Sequence, residues 1–148
     1  MLKNQLQLEQ REMLTTLIIL LAGPDAGVVL IVSDGVVSIN GQVTEFEQDN
    51  KPDYLGYHLS DDFNGWYSKQ VILDVFHWQD ISISTDGISS FSALEGGETD
   101  IHPISYLLSD TGLLEKKLKY LEHQAGLKPT DDLAIITVRN SRDNLPAG

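Results

Sequence analysis

Leu14, Leu17, Ile18 and Leu21 recur at the i, i+3, i+4, i+7 positions of an amphipathic helix, with good helix formers running back to Asn4. The pattern predicts a helix over residues 4–22, stopped by Gly23-Pro24-Asp25-Ala26-Gly27. Beyond that stop the period shortens. Residues 28–32 and 36–40 are β-rich runs on either side of Ser33-Asp34-Gly35, and Asp-Gly between such runs predicts a tight hairpin. Asn40-Gly41 turns the chain into residues 42–47, where apolar and polar positions alternate as in a half-buried strand. Residues 48–69 lack a period and read as an irregular polar segment whose Trp66 and Tyr67 anchor a loop. Strands are predicted at 71–78 and 81–85, then a short helical turn from Gly87 and a mobile stretch over 95–100. Proline at a first turn starts a helix at Pro103 that runs to Leu107 or Leu108. A second helix spans 113–124, with Leu114, Leu118 and Leu121 on one face and Gly126 past its end. Residues 133–138 read as a buried strand, and 140–148 as a flexible tail. The order predicts an α+β chain of antiparallel sheets flanked by helices, without internal repeats.

Composition narrows the functions open to such a chain. At 148 residues it suits one domain, and 41% hydrophobic with 22% charged residues marks it as globular. A net charge of −12 repels phosphate backbones and anionic membrane surfaces, so neither nucleic acid nor membrane is expected as a partner. The apolar run from Leu17 to Ala22 falls far short of the roughly 20 residues that span a bilayer. The opening from Lys3 to Glu12 is too long and too mixed in charge for a secretory signal, so a cytoplasmic location is expected. Without cysteine there is no disulfide, thiolate nucleophile or zinc–sulfur site, which leaves oxygen and four histidines as metal donors.

Three carboxylates share one context, where a strand meets a turn: Asp34 before Gly35, Asp86 before Gly87, and Asp131 followed by Asp132. Glycine after aspartate lets the backbone turn sharply and approach a ligand, and carboxylates at a sheet edge can converge on a hard divalent cation. The same residues also serve turns for conformational reasons alone. His58, His77, His102 and His123 show no metal-ligand spacing, and no serine stands in a nucleophile elbow. His77 beside Trp78 reads as strand packing, and Lys116, Lys117 and Lys119 as a solvated helix face.

Ser84-Thr85-Asp86-Gly87-Ile88-Ser89-Ser90-Phe91 resembles the Ser-x-Asp-Gly segment of metal-dependent serine/threonine phosphatases of the PP2C type. Thr130-Asp131-Asp132-Leu133-Ala134-Ile135-Ile136-Thr137-Val138-Arg139 resembles the closing strand of that family. Val32-Ser33-Asp34-Gly35-Val36 stands where the family has Gly-Asp-Ser or Gly-Asp-Gly, and the segment from Asp49 to Leu55 is similar to bacterial members. The resemblance covers residues 13–139. It implies a sandwich of antiparallel sheets flanked by helices, with Mg²⁺ or Mn²⁺ at one end activating a water for attack on phosphoserine or phosphothreonine in a phosphoprotein substrate. Carried over residue by residue, it makes Asp86 and Asp131 metal ligands and Asp34 a weaker outer one, with Gly87 and Asp132 beside the metal. The family's earlier segment, with a phosphate-binding arginine and a metal-bridging Asp-Gly, has no counterpart here, and Ser90 stands where many members place another aspartate. The expectation is therefore a sandwich incomplete at its N-terminus, the C-terminal portion of such a domain, inactive alone and open to self-association through exposed sheet edges. Two other readings stay open: a non-catalytic interaction module built on that fold, and an unrelated acidic α+β binding domain in which the three aspartate sites are only turns.

Overall fold

The computed structural model describes residues 14–47, 53–94, 100–109 and 112–140. Within them, β1 (Leu17–Ala22) and β2 (Ala26–Val32) pair antiparallel across Gly23-Pro24-Asp25, from Leu17 opposite Val32 to Ala22 opposite Gly27. The helical stripe expected over 4–22 is thus a strand from Leu17 onward, and the earlier part of that expectation, 4–13, lies outside the described residues. A short apolar run has no period of its own that separates helix from strand, and here the β-branched partner strand decides. Ile18 and Leu20 turn inward, while Ile19 and Leu21 turn out.

β5 (Val71–Phe76) joins the other side of β2 to complete a sheet in the order β1-β2-β5. The second sheet is built from β3 (Gly35–Ile39), β4 (Gln42–Phe46), β6 (Asp80–Ser84) and β9 (Ile135–Arg139), in the order β4-β3-β6-β9 and antiparallel throughout. A short pair, β7 (Phe91–Ala93) with β8 (Leu127–Pro129), was not legible in the pattern. The helices are α1 (Phe63–Tyr67), α2 (Pro103–Leu108) and α3 (Leu114–His123). The chain is α+β with antiparallel sheets, as its pattern predicts.

Two cores hold these layers. Val29, Ile31 and Val75 of the first sheet meet Val37, Ile81 and Ile83 of the second, and Trp78 closes one end by donating its Nε1–H to the Gly23 carbonyl at 3.1 Å. On the far side of the second sheet, Val36 and Ile88 pack against Ile104 and Leu107 of α2 and Leu121 of α3. Among the described residues no helix is long and apolar enough to cross a membrane.

Several local expectations are corrected. β2 and β3 belong to different sheets, so Ser33-Asp34 is a crossing between layers and not a hairpin, with Ser33 at φ +75°. Residues 53–69 are ordered by a 3₁₀ turn at Leu55–His58 and by α1, whose N-cap Asp62 accepts the Gly65 N–H at 2.8 Å. The strand near 133–138 starts at Ile135 and lies at a sheet edge, which leaves Ile136 59% exposed. His77 stands exposed at φ +53° beyond β5, while Trp78 alone packs. Lys117 is buried at 6% exposure, not solvated, and donates from Nζ to the Leu107 and Ser109 carbonyls at 2.9 and 2.5 Å. Residues 95–99, expected to be mobile, and all of the tail except Asn140 lie outside the described residues.

Candidate functional site

Asp86 follows β6 directly and opens a 3₁₀ turn, Asp86–Ile88. Asp131 lies between β8 and β9. Because β6 and β9 are antiparallel neighbours, with Ser84 opposite Ile135, the end of one meets the start of the other. Side chains tighten that junction. The Thr85 hydroxyl donates to the Asp132 carbonyl and accepts from the Ala134 N–H, both at 3.1 Å, and the Ser84 hydroxyl donates to the Ala134 carbonyl at 2.9 Å. Farther along, Thr130 donates its N–H to the Ser90 carbonyl at 2.9 Å. Asp86 and Asp131 therefore sit on two chain segments bonded to each other on both sides, and both are exposed to solvent.

Gly87 makes the close approach possible. A Cβ at this position would stand 2.2 Å from the Asp132 carbonyl oxygen, well inside van der Waals contact. Asp132 in turn donates its N–H to Asp131 Oδ1 at 2.7 Å, which orients that carboxylate. Asp34 arrives from the other side. It precedes β3, whose Val36 lies opposite Ser84, so Asp34 and Asp131 flank Asp86 at the same end of the sheet. Glu45 of the neighbouring β4 reaches this end too, where it accepts from the Ser89 hydroxyl at 2.6 Å. Register thus brings all three predicted aspartates to one end of one sheet. Even so, among the described residues no three His, Asp or Glu side chains converge closely enough to hold a metal ion.

Sequence reasoning passed over a second cluster. His58 Nδ1 is bonded to Asp61 Oδ2 at 2.6 Å and Nε2 to Asp53 Oδ1 at 2.5 Å, with the ring beside Trp66. Only the imidazolium offers a donor to both carboxylates, so the Asp61 bond, and after it the Asp53 bond, raises the His58 pKa above its ordinary 6.5. The signal in the sequence was a histidine with aspartates five residues before and three after. The chain leaves β4 at Phe46, opposite Gly35, and enters β5 at Val71, opposite Ile31, so this connection starts and ends near Asp34. A raised pKa stabilises the fold below the unfolded value and loses that contribution as pH rises through the folded value. The stability deficit of His58→Gln is therefore expected to be largest near about pH 6 and to shrink toward about pH 9 in urea titrations. An unchanging deficit would mean that the pair is not formed in solution.

No protein-family model matches this chain, and no curated protein does. Among solved structures, a bacterial serine phosphatase carrying an arginine-to-glutamate substitution matches with a TM-score of 0.50 at 16% identity, covering 84% of this chain and 52% of that one. The fold is phosphatase-like. A second bacterial serine phosphatase structure, with arginine changed to alanine, matches with a TM-score of 0.47 at the same identity and coverage. The chain spans about half the length of the phosphatase it matches. One side of this phosphatase-like sandwich is open. The edge strands β1 and β9 flank a cleft of about 150 Å³ lined by Thr16, Ile18, Ile83 and Ile136, which runs up to Thr85 and Ala134 beside the acidic end.

Proposed function

We propose that the chain is one part of a PP2C-type, metal-dependent phosphoserine/phosphothreonine protein phosphatase. Asp86 and Asp131, with Asp34 as an outer donor, would contribute to a Mg²⁺ or Mn²⁺ site whose remaining ligands come from outside the described residues, and Gly87 and Asp132 would lie beside the metal. The observation that carries this reading is the junction that ties Thr85 to Asp132 and Ala134 at the end of two neighbouring strands. Oxygen donors suit either ion, yet two or three carboxylates without further ligands hold Mg²⁺ weakly, because it demands near-octahedral coordination. The open cleft between β1 and β9 is where complementary strands would dock, and where two copies of the chain would self-associate when no complement is present. In this reading the whole assembly acts on a phosphoprotein in the cytoplasm.

The expected result for the chain alone is hydrolysis of a phosphoserine or phosphothreonine peptide at the rate of buffer with Mn²⁺. Metal-dependent turnover that disappears in Asp86→Asn would overturn the incompleteness of the site and establish the activity in this chain. One observation favours a second reading, a non-catalytic interaction module. No three metal-ligating side chains converge among the described residues, and a module that only binds needs none.

A further inference from the structure

The outer faces of the two sheets are finished differently. The second sheet is covered by α2 and α3 through Ile104, Leu107 and Leu121. On the first, the register aligns Ile19 with Leu30 and Ile72, and Leu21 with Val28 and Asp74, while Phe76 lies opposite Ala26. Residues opposite one another in a sheet share a face, and the alternate set, Ile18, Leu20, Val29, Ile31, Leu73 and Val75, is spent on the core between the sheets. Apart from Asp74 the outward set is apolar across three strands; Val28 and Leu30 at its middle are half-buried, while Leu21 is 68% and Phe76 65% exposed. A groove of about 440 Å³ crosses it, lined by Leu21, Val28, Phe76 and one carboxylate, Asp74. Among the described residues the Asp74 carboxylate makes no ion pair or side-chain hydrogen bond.

We propose that this face docks an amphipathic α-helix of a partner protein that carries a lysine or arginine within its apolar stripe to meet Asp74. A helix is the element that already covers the other sheet of this molecule, and apolar strands of this length match an apolar helical stripe. Charge selects the partner. The chain carries −12, so a basic helix is steered toward it, and a carboxylate ringed by Leu21, Val28 and Phe76 gains most from a cation once water is excluded. A second copy fits less well, because it brings another −12, and its matching face holds no lysine or arginine. The proposal does not depend on the phosphatase reading.

The test uses the full chain and fluorescein-labelled peptides of about 18 leucine and lysine residues, long enough to hold a helix. One peptide has a lysine at the centre of its leucine stripe, one has leucine there, and one is a scrambled sequence of the same composition. Anisotropy is expected to show the first binding at least about tenfold tighter than the scramble, a preference lost in Leu21→Ser/Phe76→Ser, whose side chains are already exposed. Asp74→Asn should weaken the central-lysine peptide by about tenfold and leave the central-leucine peptide unchanged, since only the former makes the ion pair. Equal binding of the scramble, or indifference to both variants, would reduce the effect to bulk charge and overturn the proposal. Sedimentation of the chain alone that shifts to monomer in Leu21→Ser/Phe76→Ser would give the face to a second copy and overturn it as well.

Discussion

Gly87→Ala should cost about 3 kcal/mol or more of folding stability, the largest effect expected of a methyl group added at any glycine among the described residues. The new Cβ would stand 2.2 Å from the Asp132 carbonyl oxygen and 2.8 Å from its carbon, and backbone on both sides leaves nothing flexible to yield. Relief requires the Asp86 turn to part from the 131–133 segment, which breaks the Thr85 bonds to Asp132 and Ala134. Gly41→Ala provides the contrast. Nothing lies within 4 Å of its Cβ, but its φ of +78° strains any L side chain, so the cost should be about 1 kcal/mol. Urea unfolding of the two variants checks the pair. Equal, small losses would mean that the Asp86 and Asp131 segments are farther apart than described.

Lys117→Met should cost about 2–4 kcal/mol although it keeps most of the side chain's bulk. The ammonium is buried where α2 ends, and it donates to the Leu107 and Ser109 carbonyls at the C-terminal end of that helix. Removing the donor takes this bond from the buried Leu107 carbonyl and leaves the pocket around Lys117 without its cation. Lys116→Met and Lys119→Met should each change stability by less than about 0.5 kcal/mol, because Lys119 pairs with Glu115 only at the surface. Thermal denaturation of all three variants at one pH separates the cases, and three equal effects would contradict the placement of Lys117.

The difference between Lys117 and its neighbours marks a limit of pattern reading. In the helix written Leu-Glu-Lys-Lys-Leu-Lys the period sets Lys117 on the stripe of Leu114, Leu118 and Leu121, yet only the packing of α2 against that stripe turns this lysine into a cap for another helix. β1 taught the same lesson in reverse. Its leucines and isoleucines fit a helical stripe, and the strand exists because β2 offers six paired positions to it. Where sequence and local chemistry agreed, the pattern was legible: Asn40 and Gly41 both take positive φ in the turn expected there, and α2 begins at Pro103. For the candidate site, the residues and the sheet end they share were legible, because antiparallel pairing of 81–85 with 133–138 brings Asp86 and Asp131 to one edge; the bonds that lock them there were not. That Asp34 sits on a crossing between sheets, and that Thr85 bonds across to Asp132 and Ala134, are properties of strand order, which no local pattern encodes.

The measurement that tests the central claim most directly is a Mn²⁺ titration of the ¹⁵N-labelled chain, followed by paramagnetic broadening of its amide signals. If the acidic end of the second sheet is part of a metal centre, Gly87, Asp132 and Leu133 should broaden first, with Gly35 following, and Asp86→Asn should abolish that order. Broadening spread evenly over the acidic surface, or unchanged in Asp86→Asn, would contradict it.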